Sequence, residues 1–149
     1  MSTVFELGRV NDAKPPFRYS ALTRVWFSDT DAQGVVYYGR YLPYFDHSRT
    51  EYHRHLGLAM TMEGGEFAMR ASTVEYRAAA RFDELLEVFV RVARLGTTSV
   101  TFEHAAYRLA DDVLMCTAEQ TLVFVDGERA KAPIPQRYRE TVEAFEHGS

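Results

Sequence analysis

The sequence predicts an α+β protein in which a five-stranded antiparallel sheet wraps around one long central helix. Three observations lead there. One stretch, starting at Tyr41, repeats its apolar residues with a helical period. Five others read as extended, being rich in aromatic and β-branched residues or alternating in polarity. The breaks between the later runs are too short for the crossovers that parallel strands need.

An irregular segment over about residues 1–17 ends in the Pro15-Pro16 pair, and "RYSALTRVWFS" then reads as the first strand. From Tyr41, steps of 100° place Leu42, Tyr44, Phe45, Ser48, Tyr52 and Leu56 on one arc, with Asp46, Thr50 and Arg54 opposite. This predicts a helix of about 16 residues that Gly57 can stop. Past Gly64-Gly65 come four extended runs: "FAMRASTVEYRAAA", "ELLEVFVRVARL", "TSVTFEHAAYRLA" and "VLMCTAEQTLVFV". In the second, Leu86, Val88, Val90 and Val92 alternate with Glu87, Phe89, Arg91 and Ala93. Asp83-Glu84, Leu95-Gly96-Thr97 and Asp111-Asp112 separate the runs, so a four-strand antiparallel meander is expected. A short helix over about residues 135–146 follows, with Pro135 near its start, where a missing N–H costs little. Curling the sheet around the single long helix buries the apolar faces of both. The open edges of such a sheet make edge-to-edge pairing with a second copy the expected remedy.

The 149 residues suit one domain, residues 1–149, without a linker, repeat or low-complexity tract. Hydrophobic residues make up 46% and charged residues 26%, and no window approaches the roughly 20 apolar residues of a membrane helix. The first twenty residues hold acids and no apolar run of signal-peptide length before a cleavage site, so a cytoplasmic location is expected. A net charge of -4 gives no footprint for a nucleic-acid backbone. The lone Cys116 sits in an apolar strand and reads as a small buried hydrophobe.

Chemistry concentrates in "DTDAQGVVYYGRY", Asp29 to Tyr41, directly before the long helix. Unpaired amides and the positive end of the dipole at a helix N-terminus stabilise a carbonyl that gains negative charge. An acid just upstream can attack that carbonyl or activate water against it, so the segment holds the parts for acyl transfer. On spacing alone, an Asp beside Gly is more commonly a turn or N-cap acid, Gly34 a site of positive φ, and Tyr37 and Tyr38 core aromatics.

The pattern D-x-D-x-x-G-V-V-Y-Y-x-x-Y-x-x-Y-F-D-x-S-R-x-E over Asp29 to Glu51, with "VEYRAAARFDELLEV" and "DGERAKAPIP" downstream, resembles the hotdog-fold acyl-CoA thioesterases of the 4-hydroxybenzoyl-CoA thioesterase type. The likeness runs from about Arg24 to Arg139, and its specific part is the Asp-x-Asp-x-x-Gly segment. It implies a hotdog fold, dimers whose sheets join and often pair into tetramers, and hydrolysis of acyl-CoA to free acid and CoA. Asp31 then falls on the catalytic carboxylate, as nucleophile or as general base, and Tyr38 on the position whose backbone N–H polarises the thioester carbonyl. Asp29 falls on the first motif acid and shapes the loop. Substrate contacts are expected at Gly34, Tyr37, Thr98 and Ser99. Relatives that place basic residues before the Ser of the "x-x-S-V" stretch can use them on CoA phosphates. Here Thr97 and Thr98 stand there, leaving Arg70, Arg77, Arg81, Arg91 and Arg94 as candidates. No cofactor or metal is implied: CoA enters with the substrate, and its thiolate is a good leaving group.

His47, Glu51 and His55 lie four apart on the helix, but their order is wrong for His-Glu-x-x-His, and His47 lies well around the helix from His55. Another hotdog branch uses an acid from the central helix, which makes Glu51 the second candidate carboxylate; with Asp31 present it reads as structural. A hotdog dehydratase leans on a histidine with a helix acid, and no His stands at the head of this helix. A non-catalytic acyl-thioester binding protein would keep the pocket without needing Asp31. Tyr37, Tyr38, Tyr41 and Phe67 offer an aromatic lining, while fatty acyl chains and an acyl carrier protein thioester stay open as substrates.

Overall fold

Residues 5–148 are described by a computed structural model. Strands β1 (Gly8–Val10), β2 (Tyr19–Arg24), β3 (Thr61–Met62), β4 (Gly65–Tyr76), β5 (Leu85–Leu95), β6 (Ser99–Arg108) and β7 (Val113–Val125) form one sheet, ordered β1-β2-β5-β6-β7-β4-β3 with antiparallel pairing throughout. The sheet curls around α1 (Tyr41–Leu56), and α2 (Gln136–His147) packs across one end. Gly57 stops α1 in the left-handed conformation at φ +72°, its N–H returning to the Arg54 and His53 carbonyls.

Seven strands replace the expected five. The additions, β1 within the stretch expected to be irregular and β3, span three and two residues, too few for alternation to register. Gly8 is suited to its place in β1, because a Cβ there would collide with the Tyr19 side chain and the Ser20 carbonyl. The expected meander is also corrected. Only β5, β6 and β7 follow one another; β4 pairs with β7, from Glu66 opposite Val125 to Tyr76 opposite Cys116. The extended pattern of β4 runs to Ala80 in sequence, but the strand ends at Tyr76, and residues 77–84 cross the ends of β7 and β6 to reach β5. At about 3.3 Å per residue such a connector easily spans the strand spacings involved. The Arg77 and Ala78 amides donate to the Met115 carbonyl on the way.

The core has two parts. Tyr19, Tyr52, Phe67, Phe102, Phe124 and Tyr138 fill the end under α2, and Val36, Tyr41, Phe45, Leu86, Met115 and Cys116 the end where α1 begins. Burial pushes the Cys116 thiol up to about 12, so it packs as a hydrophobe. Several polar groups inside find partners, Ser48 with His104 Nδ1 at 3.0 Å, Arg49 with Gln120 and Asp46, and His53 Nε2 with the Tyr138 hydroxyl at 2.7 Å, while the Tyr19 hydroxyl, Arg49 Nε, His53 Nδ1 and His104 Nε2 have none among the described residues. Desolvation brings His53 and His104 down to about 3, keeping both rings neutral. Glu146 accepts from the Tyr52 hydroxyl and the Val92 amide, tying α2 to α1 and to the sheet. No helix among the described residues is long and apolar enough to cross a membrane.

Candidate active site

Asp29 organises the approach to α1. Its buried carboxylate accepts the Trp26 amide at 3.0 Å and the Tyr44 hydroxyl at 2.7 Å through one oxygen, and Arg40 at 3.1 Å through the other. Three points, one before the loop and two after it, are thereby fixed to a single side chain. Burial first, and then the bond to Asp29, push the Tyr44 phenol far up, so it stays a donor.

From this anchor the chain makes a tight loop. The Asp31 amide donates to the Val35 carbonyl at 2.9 Å, the Gly34 amide to the Asp31 carbonyl at 3.0 Å, and the Gln33 amide to Asp31 Oδ1 at 2.8 Å. Gly34 sits at φ +77°, a conformation that favours glycine. The loop is stapled to the connector, the Val36 amide reaching the Ala80 carbonyl at 2.8 Å and Val35 bridging Arg81. The Tyr37 amide then returns to the Asp29 carbonyl, and a 3-10 turn, Tyr38–Arg40, leads into α1.

These constraints leave the Asp31 carboxylate exposed, one oxygen held by Gln33 and the other without a protein partner among the described residues. The Tyr38 amide, first in its turn, likewise meets no acceptor among them. Both residues line a cleft of about 340 Å³ whose walls include Val36, Tyr41, Tyr76 and Ala78. An acid and a residue whose amide is free at the positive end of a helix thus line one cleft of mixed polar and apolar wall.

The other expected residues divide. Gly34 shapes the loop and Tyr37 is exposed beside Tyr38, neither forming the cleft wall. Thr98 and Ser99 lie at the β5–β6 turn; Ser99 is seven residues along β6 from Ala106, the partner of Cys116 and so level with Tyr76, about 23 Å at strand rise. Of the arginines, Arg77 lines the cleft and Arg81 lies over Gly34, whereas Arg91 pairs with Glu103 and Arg94 contacts Thr101. Phe67 is in the core under α2. Glu51 is buried where it accepts the Leu7 amide and pairs with Arg54. His47 bonds the Leu22 carbonyl and His55 approaches Glu6. Sequence reading missed Tyr44, Arg40 and Tyr76, whose roles depend on partners brought near by folding.

A sheet curled around one long helix, with an acid-bearing loop at the head of that helix, is the arrangement expected of a hotdog-fold thioester hydrolase. The chain belongs to the thioesterase-like superfamily, which it matches over residues 25–142. It is 37% identical over 111 residues to the acyl-CoA thioester hydrolase YbgC of Escherichia coli, covering 72% of this chain and 82% of that one. It is 32% identical over 134 residues to the acyl-CoA thioesterase YbgC of Haemophilus influenzae, covering 87% and 95%. A 1,4-dihydroxy-2-naphthoyl-CoA thioesterase from Synechocystis superposes with a TM-score of 0.79 at 19% identity over 86% of this chain and 97% of its own, which speaks for the fold.

Proposed function

We propose that the protein hydrolyses an acyl-CoA thioester to free acid and CoA, with Asp31 as the reacting carboxylate and the Tyr38 amide, backed by the α1 dipole, as the oxyanion donor. The observation that carries this reading is that Asp31 and Tyr38 line the same cleft. As nucleophile, Asp31 adds to the thioester carbon, the C–S bond breaks, CoA leaves as thiolate and takes a proton, and water cleaves the resulting anhydride. As general base, Asp31 takes the proton of a water that adds to the same carbon, and the tetrahedral intermediate expels the thiolate. In both routes the negative oxygen forms beside the Tyr38 amide. Arg77 and Arg81, nearest the cleft, are the arginines best placed for CoA phosphates. None of the five histidines lines the cleft, which disfavours a dehydratase.

Release of free thiol from a panel of aromatic, short, medium and long acyl-CoA esters, with an acyl carrier protein thioester as a further donor, tests the proposal. Turnover of at least one ester well above background is expected. Binding of the esters without any thiol release would instead assign a binding protein.

A second copy completes the proposal. β3 covers β4 only at Gly65 and Glu66, leaving the rest of that long strand open on one side, a free edge that a second copy of this chain would satisfy. Thr98 and Ser99, remote from the cleft in one chain, would meet substrate only across such an interface. Sedimentation equilibrium is expected to give two or four times the 17.1 kDa chain mass; a monomer at assay concentration would remove both the pairing and the roles of Thr98 and Ser99.

A further inference from the structure

The 3-10 turn that carries the Tyr38 amide is joined to the sheet at one further point. Tyr76, the last residue of β4, donates its hydroxyl to the Tyr38 carbonyl at 3.1 Å. The same carbonyl already accepts the Tyr41 amide inside the turn, so both of its lone-pair directions are used. A carbonyl held from two sides fixes its peptide plane, and with it the turn whose first amide is Tyr38's own. The Tyr76 ring is wedged as well, its centroid 4.9 Å from that of Tyr38 and 5.7 Å from that of Tyr41. Tyr41 in turn accepts the Ala80 amide at 3.3 Å, so the ring against which Tyr76 rests is anchored to the connector. Tyr76 lines the cleft beside Asp31, yet its hydroxyl is turned to the backbone and is not offered to the space that an acyl group would fill.

We propose that Tyr76 is a positioning residue for thioester hydrolysis: through its hydroxyl it holds the Tyr38 turn so that the amide donor faces the carbon under attack by Asp31 or water. The proposal rests on the hydrolase reading above and adds a residue to it. Oxyanion donors act by being fixed in place before the charge develops, so a donor left free to tilt loses transition-state stabilisation while substrate still binds. The ring and the hydroxyl therefore have separable tasks. The ring is a wall that any substrate touches in the ground state, and the hydroxyl acts only through the turn. Tyr76 is 44% exposed at a strand end, so removing its hydroxyl leaves no buried polar group stranded in the core.

Tyr76→Phe keeps the wall and removes the tether. It is expected to lower kcat about 10-fold with KM changed less than about twofold and the thermal midpoint unaltered. Tyr76→Leu, which removes the wall as well, is expected to show the same fall in kcat together with a raised KM. Wild-type kinetics in Tyr76→Phe, with a raised KM only in Tyr76→Leu, would reduce Tyr76 to a wall residue and overturn the proposal. So would a Tyr76→Phe protein whose kcat, KM and thermal midpoint all deteriorate together, since that is a structural loss. Active wild type with either of these patterns removes this inference alone, whereas no thiol release by wild type from any ester removes the hydrolase reading and this inference with it.

Discussion

Asp31→Asn is expected to lower kcat by about 100-fold or more and to leave the fold as it is. The substitution is isosteric, and the amide oxygen can still accept the Gln33 N–H that now binds Asp31 Oδ1 at 2.8 Å. Asp31 is exposed, so no buried partner is abandoned and the thermal midpoint should move little. What the amide cannot do is add to a thioester carbon or take a proton from water, and general-base or nucleophilic roles of this kind are worth about 10²–10⁴-fold. Thiol-release kinetics beside a thermal melt give both readouts, and mass spectrometry of rapidly quenched wild type reports whether acyl enzyme accumulates. An Asn variant within about threefold of wild type would make Asp31 a turn acid and move the search to another carboxylate.

Asp29→Ala should have the opposite signature, a loss of stability first and of activity in consequence. The substitution strands the Tyr44 hydroxyl and the Trp26 amide and releases Arg40. Leaving the buried Tyr44 hydroxyl without an acceptor costs about 1–3 kcal/mol, and the part-buried amide of the exposed Trp26 adds less. The ion pair adds less, because the Arg40 side chain is 47% exposed and can turn to water. A net loss of about 3 kcal/mol is expected, or roughly 6–12 °C in thermal midpoint for a chain of this size. Activity should fall as well, because the Asp31 loop hangs from this anchor. Two acids separated by a single residue are thus distinguished by experiment: one variant is folded and slow, the other unstable. An Asp29→Ala protein that melts within about 2 °C of wild type would show that the loop is held by its backbone bonds alone.

The two acids also show where sequence reading succeeds and where it stops. Their order, the glycine after them and the helix that follows are local features, and each was legible from neighbouring residues. That Asp29 shapes the loop is implied by the resemblance; its burial rests on Tyr44 and Arg40, which reach back 15 and 11 residues to it. The rival acid Glu51 reads as structural because Asp31 is present, and in the fold it is covered by the N-terminal segment, which donates the Leu7 amide to it. Arg49 is buried on α1, where its guanidinium donates to Asp46 on the same helix and to Gln120 of β7; the second partner lies 71 residues away, beyond the reach of any local pattern.

By itself the sequence determined the bounds of α1, the identity and location of the five long strands, and the acid-bearing loop at the head of the helix. Periodicity, strand composition and turn residues are properties of a few neighbouring positions, and local physics suffices for them. The tertiary structure alone decided that β4 leaves the meander to lie beside β7, that the connector over residues 77–84 crosses back as one wall of the cleft, and that Tyr76 grips the Tyr38 turn. Those arrangements join positions 38 to 59 residues apart, such as Tyr76 with Tyr38, Ala80 with Val36 and Glu66 with Val125. Strand order and side-chain-to-backbone bonds of that span are settled by burying the whole sheet against one helix, and no local pattern in the chain encodes them.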